Sequence, residues 1–218
     1  MHRLKRLVVS AAVLAFVSLF PARVQTRSDP VPSFEEIIYN LKAANTGLNS
    51  FVADQVIDVQ VWLLRFRVLT TVYAVRPARY QIVVREAPWF VRALGSVFEH
   101  VGAPEDLLVL YNPKAIEYTE DGGRRLLRVA VVKEDPAANP PAGEMVVDPA
   151  RWLVEKMRLR YDWGDVFAEY AYGQVAGYWL PVRVPVRIPR YGIEAVATFR
   201  NYRLNVPIPD RIFSSTAR

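Results

Sequence analysis

The stretch Leu64-Arg65-Phe66-Arg67-Val68-Leu69-Thr70-Thr71-Val72-Tyr73-Ala74 decides how this chain is read. Leu64, Phe66, Val68, Thr70, Val72 and Ala74 fall on one face of an extended segment, and Arg65 and Arg67 fall on the other. Helical side chains repeat every 3.6 residues and strand side chains every two, so a helix would scatter this pattern around its circumference. The stretch predicts a long strand with one buried apolar face and one wet face, as in an antiparallel sheet.

The two-residue period returns in Tyr80-Ile82-Val84, in Leu107-Val109-Tyr111, in Leu153-Met157-Leu159-Tyr161 and in Ile193-Ala195-Ala197-Phe199. Asp121-Gly122-Gly123 is a hairpin signal, and Asp162-Trp163-Gly164-Asp165 and Tyr172-Gly173 read as turns or bends. Long strands joined by tight turns, with little helix between them, predict an antiparallel meander or barrel and not parallel βαβ units. Pro181, Pro185 and Pro189 recur every four residues beside Arg183 and Arg187. Proline has no N–H to give to a ladder, so this segment is expected to be an edge strand or extended rim.

Two helices interrupt the pattern. The first runs from Phe34 to about Ala44, with Ser33 and Glu36 at capping-box spacing, Phe34, Ile37, Ile38 and Leu41 on one face, and Gly47 as a stop. The second runs from Trp89 to Val101, with Phe90, Leu94, Val97, Phe98 and Val101 as an apolar stripe. Pro88 suits its start, and Gly102-Ala103-Pro104 ends it. The proline-rich segment Asp135 to Gly143 is expected to be an exposed loop within one domain.

Residues 1–26 read as a secretory signal: His2, Arg3, Lys5 and Arg6 precede an uncharged apolar run from Leu7 to Phe20. That run is short of the roughly 20 apolar residues a spanning helix needs. Val24-Gln25-Thr26 is only a loose substitute for an A-x-A cleavage site, so removal and retention as an anchor both stay open. Setting the segment aside removes four of the 28 basic residues and none of the 22 acidic ones, which lowers the formal charge from +6 to +2. With both signs interspersed, no basic footprint for nucleic acid remains. Residues 27–218 are long enough for a single domain with a sizeable core.

Little in the chain points to catalysis. It has no cysteine, hence no disulfide, thiolate metal site, cysteine nucleophile or lipid-modified cysteine. Outside the leader, His100 is the one histidine, and zinc needs three or four ligands. The carboxylate pairs Glu35-Glu36, Glu105-Asp106, Glu134-Asp135 and Asp162 with Asp165 each suit a helix first turn or a turn beside glycine or proline. No nucleophile elbow, phosphate loop, dinucleotide fingerprint or EF-hand loop occurs. The expectation is a protein that is not an enzyme and uses no metal or cofactor. The abundant aromatic residues suit an ordinary packed core, but a curved sheet with two amphipathic helices can also leave an apolar cavity beneath them.

Several segments, taken in order, are similar to one family. The amphipathic helix, the long strand and Val75-Arg76-Pro77-Ala78-Arg79-Tyr80 come first. Leu108-Val109-Leu110-Tyr111-Asn112-Pro113, Asp148-Pro149 before Trp152-Leu153, and Asn201-Tyr202-Arg203-Leu204-Asn205-Val206-Pro207 through Phe213 follow. Over residues 33–213 the chain resembles the periplasmic lipoprotein carriers of the LolA/LolB type. The Pro136–Pro141 loop and the Pro181–Pro189 spacing have no counterpart in that pattern.

The resemblance implies an unclosed antiparallel β-barrel, a half-barrel with a helical lid, whose apolar interior takes up acyl chains of lipids or lipoproteins for transfer towards the outer membrane. Candidate cavity and lid residues are Phe66, Val68, Val72, Tyr80, Phe90, Leu94, Val97, Phe98, Met157, Leu159, Tyr161 and Phe199. A periplasmic location and transient membrane contact go with that reading. The alternative is an envelope-stress sensor of the sigma-factor-regulator kind, binding a protein partner by strand addition near Val182–Ile188.

Overall fold

In the computed structural model, residues 30–76, 79–88, 104, 108, 111–133 and 142–214 are described. Ser33 opens the helix α1 (Phe34–Ala43), its hydroxyl accepting the Glu36 N–H at 3.2 Å. Glu35 and Glu36 occupy the first turn and Lys42 the last, matching the helix dipole. Phe34, Ile37 and Leu41 are buried, and Gly47 takes a left-handed conformation four residues past the helix.

Among the described residues eleven antiparallel strands follow: β1 (Ser50–Val61), β2 (Leu64–Val75), β3 (Arg79–Glu86), β4 (Asn112–Asp121), β5 (Arg124–Val132), β6 (Ala142–Asp148), β7 (Leu153–Tyr161), β8 (Gly164–Glu169), β9 (Ala171–Val175), β10 (Tyr178–Ile188) and β11 (Ile193–Leu204). Their order across the sheet is β3-β2-β1-β11-β10-β8-β7-β6-β5-β4, with β9 on β10. Among the described residues β3 and β4 are the two ends and do not pair with each other, which makes the expected half-barrel. α1 and all eleven strands lie in one compact unit, Val31–Arg218.

The deciding stretch becomes β2 as its alternation requires. Val68, Thr70, Val72 and Ala74 are buried, while Arg65 and Arg67 are exposed. The turns at Asp121–Arg124 and Tyr161–Gly164 are two-residue hairpins, the first through Gly122 and Gly123, both at positive φ. β3 ends with Glu86 opposite Leu69, so among the described residues Leu64–Val68 of β2 is paired on the β1 side alone.

Several expectations are corrected. β10 is not an edge: it pairs with β11 from Arg183 to Ile188, and on its other side with β9 and β8 in succession. The prolines fit because that second ladder is broken. Pro181 sits at a register shift, Pro185 falls between Arg183, the last residue paired to β9, and Val186, the first paired to β8, and Pro189 lies in a 3-10 turn beyond the strand. Strand addition at Val182–Ile188 is thereby blocked.

Tyr172-Gly173 is no turn but the middle of β9, and the chain reverses at Ala176-Gly177 instead. Gly173 serves a close approach, since a Cβ there would lie 2.8 Å from Val182 Cγ1. Tyr111, expected in a strand, lies in a bend: its N–H reaches the Leu108 carbonyl at 3.3 Å, and β4 begins one residue later. Leu107 to Tyr111 are five successive apolar residues, a run that fits either period, so alternation alone could not decide there. Ala142 and Gly143, expected in the proline-rich loop, already pair with Val132 and Val131. The remainder of that loop, the leader and the Trp89–Val101 helix lie outside the described residues.

Val182 is β-branched and stiff at χ1, so it cannot swing away cheaply from an added methyl group. Gly173→Ala is expected to cost about 1–2 kcal/mol by overpacking, measured as a lower urea midpoint. Adding Val182→Ala is expected to restore most of that loss.

Candidate functional site

Register decides which residues meet on the inner side of the sheet. On β1 these are Ala53, Gln55, Ile57 and Val59, opposite Val72, Thr70, Val68 and Phe66 of β2. From β11 come Ala195, Ala197 and Phe199, from β10 Val184, Val186 and Ile188, and from β8 Val166 and Ala168. Met157, Leu159 and Tyr161 of β7, Met145 of β6, and Leu127 and Val129 of β5 continue the surface. Apart from Gln55 and Thr70, these side chains belong to or pack against one contiguous apolar cluster that also includes Phe34, Ile37 and Leu41 of α1.

Eight of the twelve expected site residues are in it. Val68, Val72, Met157, Leu159 and Phe199 are buried, and Phe66, Tyr80 and Tyr161 pack partly exposed against them. Phe90, Leu94, Val97 and Phe98 lie outside the described residues. The sequence reading missed the contribution of β1, β5, β6 and β10. In β1 the signal was blurred because Gln55 points inward while Val52 and Val56 point outward, so polarity does not alternate cleanly. In β10 the alternation of Val184, Val186 and Ile188 with Arg183 and Arg187 was legible, but the prolines outweighed it.

Polar atoms on this surface are few. Gln55 and Thr70 are cross-strand partners, and the Thr70 hydroxyl donates to Gln55 Oε1 at 2.7 Å. Burial pushes the Tyr111 phenol up to about 12. Burial, with the neighbouring Tyr111, raises that of Tyr161 still further. Both phenols stay neutral through any physiological pH, so the interior gains no charge from them.

Among the described residues, the apolar surface becomes exposed towards the Glu86 end of β3. Along the inner face, exposure rises from fully buried Val72 to 45% at Val84 and 65% at Leu64. A separate cleft of about 550 Å³ lies on the outer face near this end, lined mainly by the outward Asp58, Gln60, Arg65, Arg67, Glu194 and Val196. Chemically, the arrangement offers contact area for hydrocarbon and, among the described residues, no group of three or more His, Asp or Glu side chains that could hold a metal ion. Of the carboxylates considered above, Asp165 is held by Arg158 at 2.5 Å and Asp162 stands in the β7–β8 turn. Glu105, Asp106, Glu134, Asp135 and His100 lie outside the described residues.

No family model and no curated protein matches the sequence, but solved structures match the shape. A LolA superfamily protein from Nitrosomonas europaea superposes with a TM-score of 0.65 at 12% identity, over 84% of this chain and 98% of that one. A domain from Vibrio parahaemolyticus assigned to outer membrane lipoprotein sorting gives 0.65 at 14% identity, over 84% and 97%. A DUF1329 family protein from Desulfovibrio piger gives 0.66 at 12%, over 87% and 99%. The chain has the LolA-like fold.

Within this LolA-like sheet, a bulge on β7 sets which residues reach the interior. Val147 pairs with Val154 but Val146 with Lys156, so Glu155 is the extra residue. The bulge puts Val154 on the inner face with Met157, and turns Leu153, expected there, to the other side. An ion-pair network on the outer side pins it. Glu155 accepts both guanidinium N–H groups of Arg124, at 2.7 and 2.8 Å, and one from Arg151 at 2.7 Å. The Glu155 carbonyl also accepts the Tyr170 N–H at 2.8 Å. Asp148 takes Arg151 Nε at 2.8 Å and the Ala150 N–H at 2.9 Å.

Burial of Asp148 works to raise its pKa, but the Arg151 and Ala150 hydrogen bonds and the Arg151 and Arg124 charges together hold it below the ordinary 3.8. A carboxyl depressed in the folded state stabilises fully above its unfolded value, and that stability is lost as pH falls through the folded value. Acid should therefore lower the melting temperature below about pH 4. Asp148→Asn is expected to cost about 1–2 kcal/mol near pH 7, and to flatten the acid slope of melting temperature followed by circular dichroism.

Proposed function

We propose that this protein is an exported carrier that holds the acyl chains of a lipid or lipoprotein against the inner face of its half-barrel, for transfer towards the outer membrane. The observation that carries the reading is the single apolar surface running across the strands from β2 to β5, nearly free of polar atoms and uncharged. The LolA-like fold of the lipoprotein-sorting domain and of the LolA superfamily protein supports it. In this reading residues 1–26 direct export to the periplasm, and residues 27–218 are the working domain.

Burying each methylene of a chain is worth about 0.8 kcal/mol, so one or two acyl chains are held firmly without a charged anchor. Phe66, Val68, Val72, Tyr80, Met157, Leu159, Tyr161 and Phe199 supply the contacts, and Phe90, Leu94, Val97 and Phe98 belong to the covering helix that opens to admit the chains. Phe66, half-exposed on β2 beyond the last β2–β3 pair at Leu69 and Glu86, is the first residue an entering chain meets.

Protein purified from the envelope is expected to release fatty-acyl lipid into organic solvent, and to take up a fluorescent fatty acid with displacement by unlabelled lipid. Phe66→Glu is expected to weaken probe binding at least tenfold while leaving the far-UV spectrum unchanged. Extracts without lipid, together with no probe uptake by the wild type, would sink the reading.

A further inference from the structure

Four of the eight large apolar side chains that stand exposed among the described residues sit at one end of the sheet: Trp62 at 78%, Leu63 at 98%, Leu64 at 65% and Tyr191 at 45%. They belong to two turns that touch. The Trp62 indole lies so close to Gly192 that a Cβ there would be 2.6 Å from Trp62 Nε1. A third turn joins them: Tyr191 meets Trp163 with ring centroids 5.6 Å apart, and the Arg190 stem packs on Gly164. The β1–β2, β10–β11 and β7–β8 turns thus make one aromatic cluster with Trp62 and Leu63 at its tip.

The fold does not need these residues at the tip. Trp62 adopts a φ of 53°, a left-handed conformation that suits glycine, asparagine or aspartate at a hairpin and is uncommon for a bulky side chain. Leu63 is almost wholly in water, so it adds nothing to the core. A costly backbone state and a wasted leucine, adjacent in the same turn, point to a use outside the folded chain.

From this geometry we infer that the Trp62–Leu63 hairpin, with Tyr191 and Trp163 behind it, is a docking tip that enters the interface of an anionic lipid bilayer. Tryptophan and tyrosine combine an apolar ring with a polar edge and settle at headgroup depth. Arg65, Arg160 and Arg190, in or beside the three turns, are exposed and outside any ion pair among the described residues. Against them stand Asp162 and Glu194, which leaves a positive excess to face lipid phosphates. Their long stems let the guanidinium groups reach headgroups while the indole and leucine sit deeper. The exposed apolar side chains here are four and confined to the end of the strands, whereas a protein interface needs about 800 Å² of complementary area on each partner. The tip adjoins the open end of the interior, but it does not depend on acyl uptake by that interior.

Because the chain has no cysteine, Leu63→Cys creates a unique site for an environment-sensitive fluorophore. Glu120→Cys, exposed beside the β4–β5 turn at the opposite end of the strands, is the reference. With vesicles of phosphatidylethanolamine and phosphatidylglycerol, the label at 63 is expected to brighten at least threefold and shift to the blue, while the label at 120 stays water-like. Attachment through any other segment would move both labels alike and overturn the proposal, as would a silent label at 63. A response at 63 to added envelope protein but not to vesicles would make the tip a protein-docking element, and also overturn it. Replacing Trp62-Leu63 by Gly-Asn, with glycine at the one central position of positive φ, is expected to keep the fold and lower vesicle partitioning tenfold or more. Fatty-acid uptake by that variant should be unchanged, which separates the tip from the interior.

Discussion

β1 is paired to β2 from Ser50 to Val61 and to β11 from Phe51 to Val61, so both neighbours take their register from it. This double ladder places Ile57 between Val68 and Ala197, and Val59 between Phe66 and Ala195, all on one side of the sheet. Side chains alternate strictly along a strand, so a slip of one residue on β1 would turn the apolar rows of three strands to the solvent. The interior is therefore a consequence of register before it is a consequence of composition. The charged outer side helps to hold that register: Arg67 bonds Asp58 at 2.7 Å across β1 and β2, and Arg85 and Asn201 both reach Asp54 from strands on either side. Exposed pairs of this kind contribute little individually, but each is satisfied at one alignment only.

What could be read from the residues alone followed the same logic. β2 and β11 were legible because polarity and burial share a phase there, as in Val68 to Ala74 and Ile193 to Phe199, whereas β3 showed the alternation Tyr80-Ile82-Val84 without burying any of it. α1 was legible because Ser33 caps it and its apolar face has the helical spacing. β1 was not, since a buried glutamine and outward valines conceal its alternation. β10 was misread for a different reason: proline forbids a hydrogen bond, but it does not forbid a neighbour, and the neighbour here leaves a gap where Pro185 stands. Gly173 signalled a turn by composition and serves instead as a place where two strands touch closely.

For the candidate site, alternation brought eight of twelve residues to the shared surface because those eight lie on clear strands. The face of β7 illustrates the limit. Leu153 and Met157 look equivalent in the sequence, yet the Glu155 bulge separates them, and the groups that hold the bulge, Arg124, Arg151 and Tyr170, are distant from it or from one another along the chain. No local pattern encodes such a switch. The aromatic tip was invisible for a related reason, since Trp62, Trp163 and Tyr191 come together only when three separate turns meet at one end of the strands.

The buried hydrogen bond between Thr70 and Gln55 bears on how the first hairpin finds its alignment. A slip of one residue on β1 and β2 is punished by exposed hydrocarbon, but a slip of two keeps every apolar residue inside and is nearly invisible to burial. It would, however, set Gln55 and Thr70 against aliphatic partners, each then lacking a hydrogen bond at a cost of about 1–3 kcal/mol. Two polar side chains in an otherwise greasy wall thus act as a key that admits one alignment out of a series spaced two residues apart. Such a key discriminates during assembly, before the remaining strands have arrived to enforce the choice.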